Sequence, residues 1–370
     1  MQKTSKCGFF LLLTLMVLLA AHDGFASTDS PERLVSPDLL EKVDLKISWE
    51  QQLPIQKGEI LKRLYILDNR IYAVSDKNYV VSMNRENGTR VFARNFLPGS
   101  MPTEGLQLFD NKLVSVSGSR IIQVDPSSGL ERPFIDLGFG IVAPVAANKD
   151  LMYISGIDKR LHIYAIDNKV QVFEVAADNE SKITSVIAGE DIVVFGTDKG
   201  NVIGMTTKRS PKRYWQFNAA GPIVGPIVRD GRTLYFACGD TNVYRIDMIV
   251  GLEEIRLAWK YQANGILNAQ PQVTQNAVYL YVPTKGVTAI DKGGSFLWSV
   301  PGGLNLLAES KGRAYVITKD ENLVIMDNIN AKKLYSINCM GVTKYAVNTE
   351  DSKIYIATKS GRLACLQPIQ

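Results

Sequence analysis

The sequence predicts an all-β fold, a single eight-bladed β-propeller of four-stranded antiparallel blades, and three observations predict it. The segment VYLYVPTKGVTAIDKGGSFLWSV, which begins at Val278, holds three short apolar or alternating runs separated by the turn-rich pieces PTKG and DKGGS, the pattern of strands in tight hairpins. One such unit cannot bury both faces of its sheet, and the unit recurs at the 40 to 45 residue period of propeller blades. Finally, an orphan tryptophan strand near the start complements an unfinished blade at the carboxyl end.

The copies register on the strand that holds Tyr279. Equivalent positions are Tyr72, Val114, Tyr153, Val194, Tyr235, Tyr315 and Tyr355, giving successive spacings of 42, 39, 41, 41, 44, 36 and 40 residues. An Asp or near substitute follows 12 residues later at Asn84, Asp247, Asp291 and Asp327, and slightly displaced at Asp125 and Asp167. A turn comes next, often with Gly, and then an aromatic opens a further strand: Phe92, Phe173, Trp215, Trp259, Trp298 or Tyr335. These outer aromatics are expected to fill the space between neighbouring blades.

In chain order, residues 1–26 read as a cleavable secretory signal. Lys3 and Lys6 supply its charge, Phe9 to Ala21 its apolar core, and Gly24-Phe25-Ala26 its small-residue cleavage site. The core falls short of a spanning helix, and Cys7 precedes it, so no cysteine is placed for acylation. A periplasmic or otherwise exported protein with no transmembrane segment after processing is expected. Residues 27–44 form a polar arm whose SPDLLEKVD reads as a turn or two of helix capped by Ser36.

The propeller domain is expected over residues 45–370. LKISWEQQL from Leu45 looks like an outer strand without the three that should precede it, and KIYIATKSGRLACLQPIQ stops before its own outer strand. Trp49 would then finish the blade that ends at Gln370, removing exposed sheet edges. Innermost strands are placed near Ile60, Leu106, Val142, Ile183, Ile223, Leu267, Leu304 and Lys344, where Gly and Pro suit the crowded axis.

Composition narrows the function. The net charge is +5, falling to +4 without residues 1–26, and no basic stripe interleaved with aromatics supports nucleic-acid binding. Outside the signal, Cys238, Cys339 and Cys365 have no knuckle or dithiol spacing and read as small buried residues. His162 is the one histidine left, at a strand position, read as a surface or strand residue with no nucleophile motif to activate. Asn87-Gly88-Thr89 and Asn179-Glu180-Ser181 fit the glycosylation triplet but fall in turns that want Asn and Gly for backbone reasons. Phosphate-cradling, dinucleotide and calcium-loop motifs are missing.

One blade departs from the repeat in a way that bears on binding. Around Val194 the usual A-x-D segment becomes GMTTKRSPKRYW, whose Lys208, Arg209, Lys212 and Arg213 form the densest positive run of the chain. Four like charges in one hairpin cannot be core. They are either a solvated loop or a docking surface for an acidic partner.

The order tyrosine strand, turn, A-x-D strand, G-turn, W strand resembles the repeat of the pyrroloquinoline-quinone-type β-propellers over nearly the whole chain after the signal. The orphan strand ISWEQQL followed by DNRIYAVSDKNYVVSMNRENGTRVFARNF and further blades looks like the BamB family of outer-membrane protein assembly factors. That resemblance implies eight blades and a protein-binding role toward a β-barrel assembly subunit in the cell envelope, with no cofactor. Family quinone enzymes use an adjacent cysteine pair, which this sequence lacks. A monomeric, non-catalytic scaffold is therefore expected, with a quinone-dependent or other enzyme on the same ring, or a generic envelope-binding propeller, as alternatives.

Overall fold

The computed structural model describes residues 33–96, 104–249, 251 and 253–369, so the signal read at residues 1–26 lies outside them. Eight four-stranded antiparallel sheets make up the fold. Blades 1 to 7 occupy 61–95, 104–136, 146–176, 183–218, 223–262, 272–300 and 303–338, each with its strands in sequence order. The eighth takes three strands from 344–368 and its fourth, Leu45–Gln52, from the other end of the chain.

Period-two alternation explains why the middle strands read as unbroken apolar runs. In Ala277–Val282, Ala277 and Tyr279 face the cluster shared with blade 7, while Val278, Leu280 and Val282 face the cluster shared with blade 5. The middle strands are buried on both faces, as in a fully covered sheet, while fourth strands such as Gln171–Ala176 and Ile255–Gln262 stay largely exposed. Eight apolar clusters result, one in each gap between neighbouring blades. The registered positions Tyr72, Val114, Tyr153, Val194, Tyr235, Tyr279, Tyr315 and Tyr355 are all buried at the centre of these seams.

Ring closure follows from one strand pairing. Leu45 faces Pro368, Trp49 faces Cys365 and Gln52 faces Arg362. The arm contributes as well, since Val35, Leu40 and Val43 enter the cluster between blades 7 and 8. Its helix is the single turn Pro37–Glu41, and Ser36 stands at its start without donating or accepting a side-chain cap bond. Proline at the first helical position supplies the preset φ instead.

The seams share a recognisable lock. A tryptophan on the fourth strand tilts against the tyrosine of its own blade, at 6.2 Å for Trp49 and Tyr355 and 5.8 Å for Trp298 and Tyr279. Its indole N–H then reaches into the third turn of the next blade. Trp49 donates to the Arg85 carbonyl at 3.1 Å, Trp259 to the Lys292 carbonyl at 2.9 Å, and Trp298 to Asn328 Oδ1 at 2.8 Å. Glycine in that turn is explained twice over. Gly88 has φ +71°, and a Cβ there would lie 2.6 Å from the Trp49 ring.

Besides the Ser36 cap, four expectations are adjusted by the structure. Regular pairing of the innermost strand in blade 3 starts at Ala146 rather than Val142, and in blade 6 at Gln272 rather than Leu267. Pro144 and Pro271 lie just before these starts and lack the N–H a ladder needs. The outer aromatics do not all fill seams, since Phe173 is 39% and Tyr335 38% exposed. His162 lies on the strand Arg160–Ala165 but is not at the surface, because Phe139 stacks on its ring at 4.1 Å and closes it from solvent.

Arg85 completes the closing seam from the polar side. Its buried guanidinium donates to Asp351 at 2.8 Å, Glu350 at 3.0 Å and the Asp68 carbonyl at 2.8 Å. Trp49→Ala is expected to cost about 3–5 kcal/mol, and Arg85→Met about 1.5–3 kcal/mol through its charge-assisted bonds. Urea unfolding monitored by fluorescence or circular dichroism checks both. An unchanged midpoint in either variant would show that the ring does not depend on this seam.

Candidate functional site

Because successive strands reverse direction, the first and third turns of blades 1 to 7 and the first turn of blade 8 open on one face, and the second turns with the inter-blade connections open on the other. The basic run is the third turn of blade 4, between Asn201–Met205 and Arg213–Asn218, and so lies on the first of these faces. Thr206 closes its base, donating its N–H to the Lys212 carbonyl and accepting the Lys212 N–H on its hydroxyl, both at 2.9 Å. The turn contains no left-handed residue, unlike the glycine turns of blades 1 and 6.

Lys208, Arg209, Lys212 and Arg213 are all exposed, but the structure does not bring them together as one positive patch. Arg213 forms two parallel bonds to Asp178, at 3.0 and 2.9 Å, and a third to Gln216 at 2.8 Å. Those bonds hold the Asp178 carboxyl below its usual range. Arg209 stands 3.8 Å from Asp167 in the third turn of blade 3. Lys208 and Lys212 have no ion-pair partner among the described residues.

Lys208 and Arg209 form one wall of a groove of about 780 Å³ whose other walls are Asp110 and Lys112 of blade 2 and Lys149, Asp150 and Asp167 of blade 3. Lys112 and Lys149 escape a sequence reading that looks for charge runs, because they are far apart in the chain. The blade register holds the missing signal: Asp110-Asn111-Lys112 and Asn148-Lys149-Asp150 occupy the same first turn in successive blades. Glu190 anchors the hairpin beneath the groove, accepting the Thr207 hydroxyl on its carbonyl at 2.8 Å and the Lys149 N–H on Oε1 at 2.9 Å.

The remaining reactive side chains are held within the scaffold. Burial pushes the thiols of Cys238 and Cys339 up to about 11 and that of Cys365 up to about 12. All three are free and buried. His162 Nε2 is hydrogen-bonded to the Asp158 carboxylate at 3.0 Å, while its Nδ1 is buried without a hydrogen-bond partner. Among the described residues no group of three or more His, Cys, Asp or Glu side chains stands where it could hold a metal ion. The separated, buried cysteines do not fit the adjacent pair that a quinone site of this fold would use.

Two outcomes follow. The native thiols should resist a disulfide reagent near pH 8 and react fully in guanidinium, because the thiolate is the reactive form; rapid labelling of the folded protein would contradict their burial. On the same face, the Asp191 carboxyl is held below its usual range by two 2.7 Å bonds from Arg229 across the seam of blades 4 and 5. A depressed carboxyl stabilises the fold above its unfolded value of about 4 and ceases to as pH falls through the folded one. Asp191→Asn should therefore lower the melting temperature at neutral pH and leave it nearly unchanged once acid has protonated the wild-type carboxyl.

Residues 199–367 match the family described as outer membrane protein assembly factor BamB. Among solved structures, BamB from Moraxella catarrhalis is similar with a TM-score of 0.65 at 15% identity, covering 87% of this chain and 97% of that one. The computationally designed Ika8 protein is similar with a TM-score of 0.64 at 17% identity, covering 85% and 98%. None of the curated proteins compared with this chain matches it. At such identities the structural likeness speaks for the fold alone, and the sequence match carries the family resemblance. The chain is thus an eight-bladed β-propeller that resembles, over residues 199–367, the pyrroloquinoline-quinone-type propellers of the BamB-type outer-membrane protein assembly factors.

Proposed function

We propose that the chain is a non-catalytic, exported scaffold of the cell envelope that binds other proteins, as BamB-type propellers do, with a role in outer-membrane β-barrel assembly. The observation that carries this reading is the match of residues 199–367 to a family of assembly factors. The architecture supports it. Leu45–Gln52 and the last strand of the chain share one blade, and the middle strands are spent on neighbouring blades, which leaves turns, connections and outer strands as the surface open to a partner. A monomer is the state we propose, supported by a ring that needs no second copy of itself to complete its core.

Export rests on residues 1–26, and no helix of the described residues is long and apolar enough to cross a membrane. Mass spectrometry of the protein recovered from cells should find its first residue at Ser27; an amino terminus at Met1 would overturn the secretory reading.

The scaffold reading is tested by affinity capture from an envelope extract with the full chain as bait. An outer-membrane assembly protein should co-purify in near-stoichiometric amount. Titration with pyrroloquinoline quinone and calcium, followed by absorbance, should show no saturable binding at micromolar concentration. Saturable quinone binding with dye-linked alcohol oxidation would replace the scaffold with an enzyme.

A further inference from the structure

We propose that the groove between the basic hairpin of blade 4 and the first turns of blades 2 and 3 receives an acidic, extended segment of a partner protein. This rests on the protein-binding reading and adds to it the face that is used and the chemistry of what it meets. At three other seams on this face, charged side chains pair between blades: Arg229 with Asp191, Lys292 with Asp230, and Arg85 with Glu350 and Asp351. Here the arrangement differs. Asp110 is engaged by Lys112 at 3.3 Å and Asp167 by Arg209 at 3.8 Å, whereas Lys149 and Lys208 reach the groove with no ion-pair partner, and Lys212 of the same hairpin has none either.

The lining also selects the kind of anion. A free phosphate or small carboxylate would meet Asp110, Asp150 and Asp167 along with the lysines. An extended peptide carries carboxylates for the lysines and backbone N–H groups for the aspartates, so both signs of charge find complements. Apolar contact is at hand beside the groove. Val170, in the same turn as Asp167, is 54% exposed, and Phe173 just beyond it is 39% exposed. At the equivalent position Trp49, Phe92, Trp215 and Trp298 are all buried.

The test uses a short fluorescein-labelled peptide of alternating Glu and Gly with one Phe, and fluorescence anisotropy with the full chain. Saturable binding is expected, weakening as salt rises from about 50 mM to about 300 mM. Replacing Lys149, Lys208 and Lys212 together by Glu should weaken it by roughly tenfold or more. A control with Lys46, Lys260 and Lys333 replaced by Glu changes the net charge equally on other blades and should bind within about twofold of wild type. Absence of saturable binding, or equal weakening in the two triple variants, would overturn the groove. Envelope capture separates the two readings. A groove variant that still captures the wild-type partner removes the groove and leaves the scaffold, while specific peptide binding in a protein that captures nothing removes the scaffold and leaves the groove.

Discussion

Pairing of Leu45–Gln52 with the last strand of the chain is the constraint on which the remainder of the molecule depends. A propeller blade buries its faces only against neighbours, so an open ring would leave two faces and one sheet edge in water. Closing it with a strand borrowed from the other terminus spends both ends of the chain on a single sheet. Trp49 and Arg85 then fasten that sheet to blade 1, the indole by stacking on Gly88 and donating to the Arg85 carbonyl, the guanidinium by reaching back to Glu350 and Asp351. Burial opposes the charge on Arg85, yet Tyr355 and the two carboxylates outweigh it and hold the guanidinium above its ordinary value.

The same logic repeated around the ring makes the exceptions informative. Where an aromatic meets a left-handed turn, the seam is sealed by apolar contact, as at Trp259 against Gly294. Blade 4 offers no such turn, and Phe173 stays partly in water while Arg213 clamps Asp178 and Arg209 approaches Asp167. Tyr335 is exposed for a related reason: blade 8 has no third turn of its own, because its fourth strand comes from the amino-terminal side. A charged seam holds blades together less tightly than a packed aromatic one and is more responsive to salt.

Legibility of the site differed from legibility of the fold. The run Lys208 to Arg213 was visible as local charge, and its exposure follows from its position in a hairpin. Its neutralisation was not visible, since Asp167 lies on blade 3 and Asp178 in the connection that follows it, some 35 to 42 residues away in the chain. Lys112 and Lys149 join Lys208 only because the first turns of blades 2 and 3 and the third turn of blade 4 open on the same face. His162 was placed on its strand by alternation, but its burial depends on Phe139 from an inter-blade connection, where no periodicity operates.

By itself, the sequence determined the number of blades, the strand order within each, and the strand that closes the ring. Those properties are carried by local signals, period-two alternation, turn residues and a tyrosine recurring about every 40 residues, which each blade states independently. Only the tertiary structure decided which charges cancel, which aromatics are covered and where a groove opens. Those outcomes depend on pairs of residues from different blades meeting within a few ångströms, and a one-dimensional repeat fixes which blades are neighbours without fixing how far a side chain reaches across the gap.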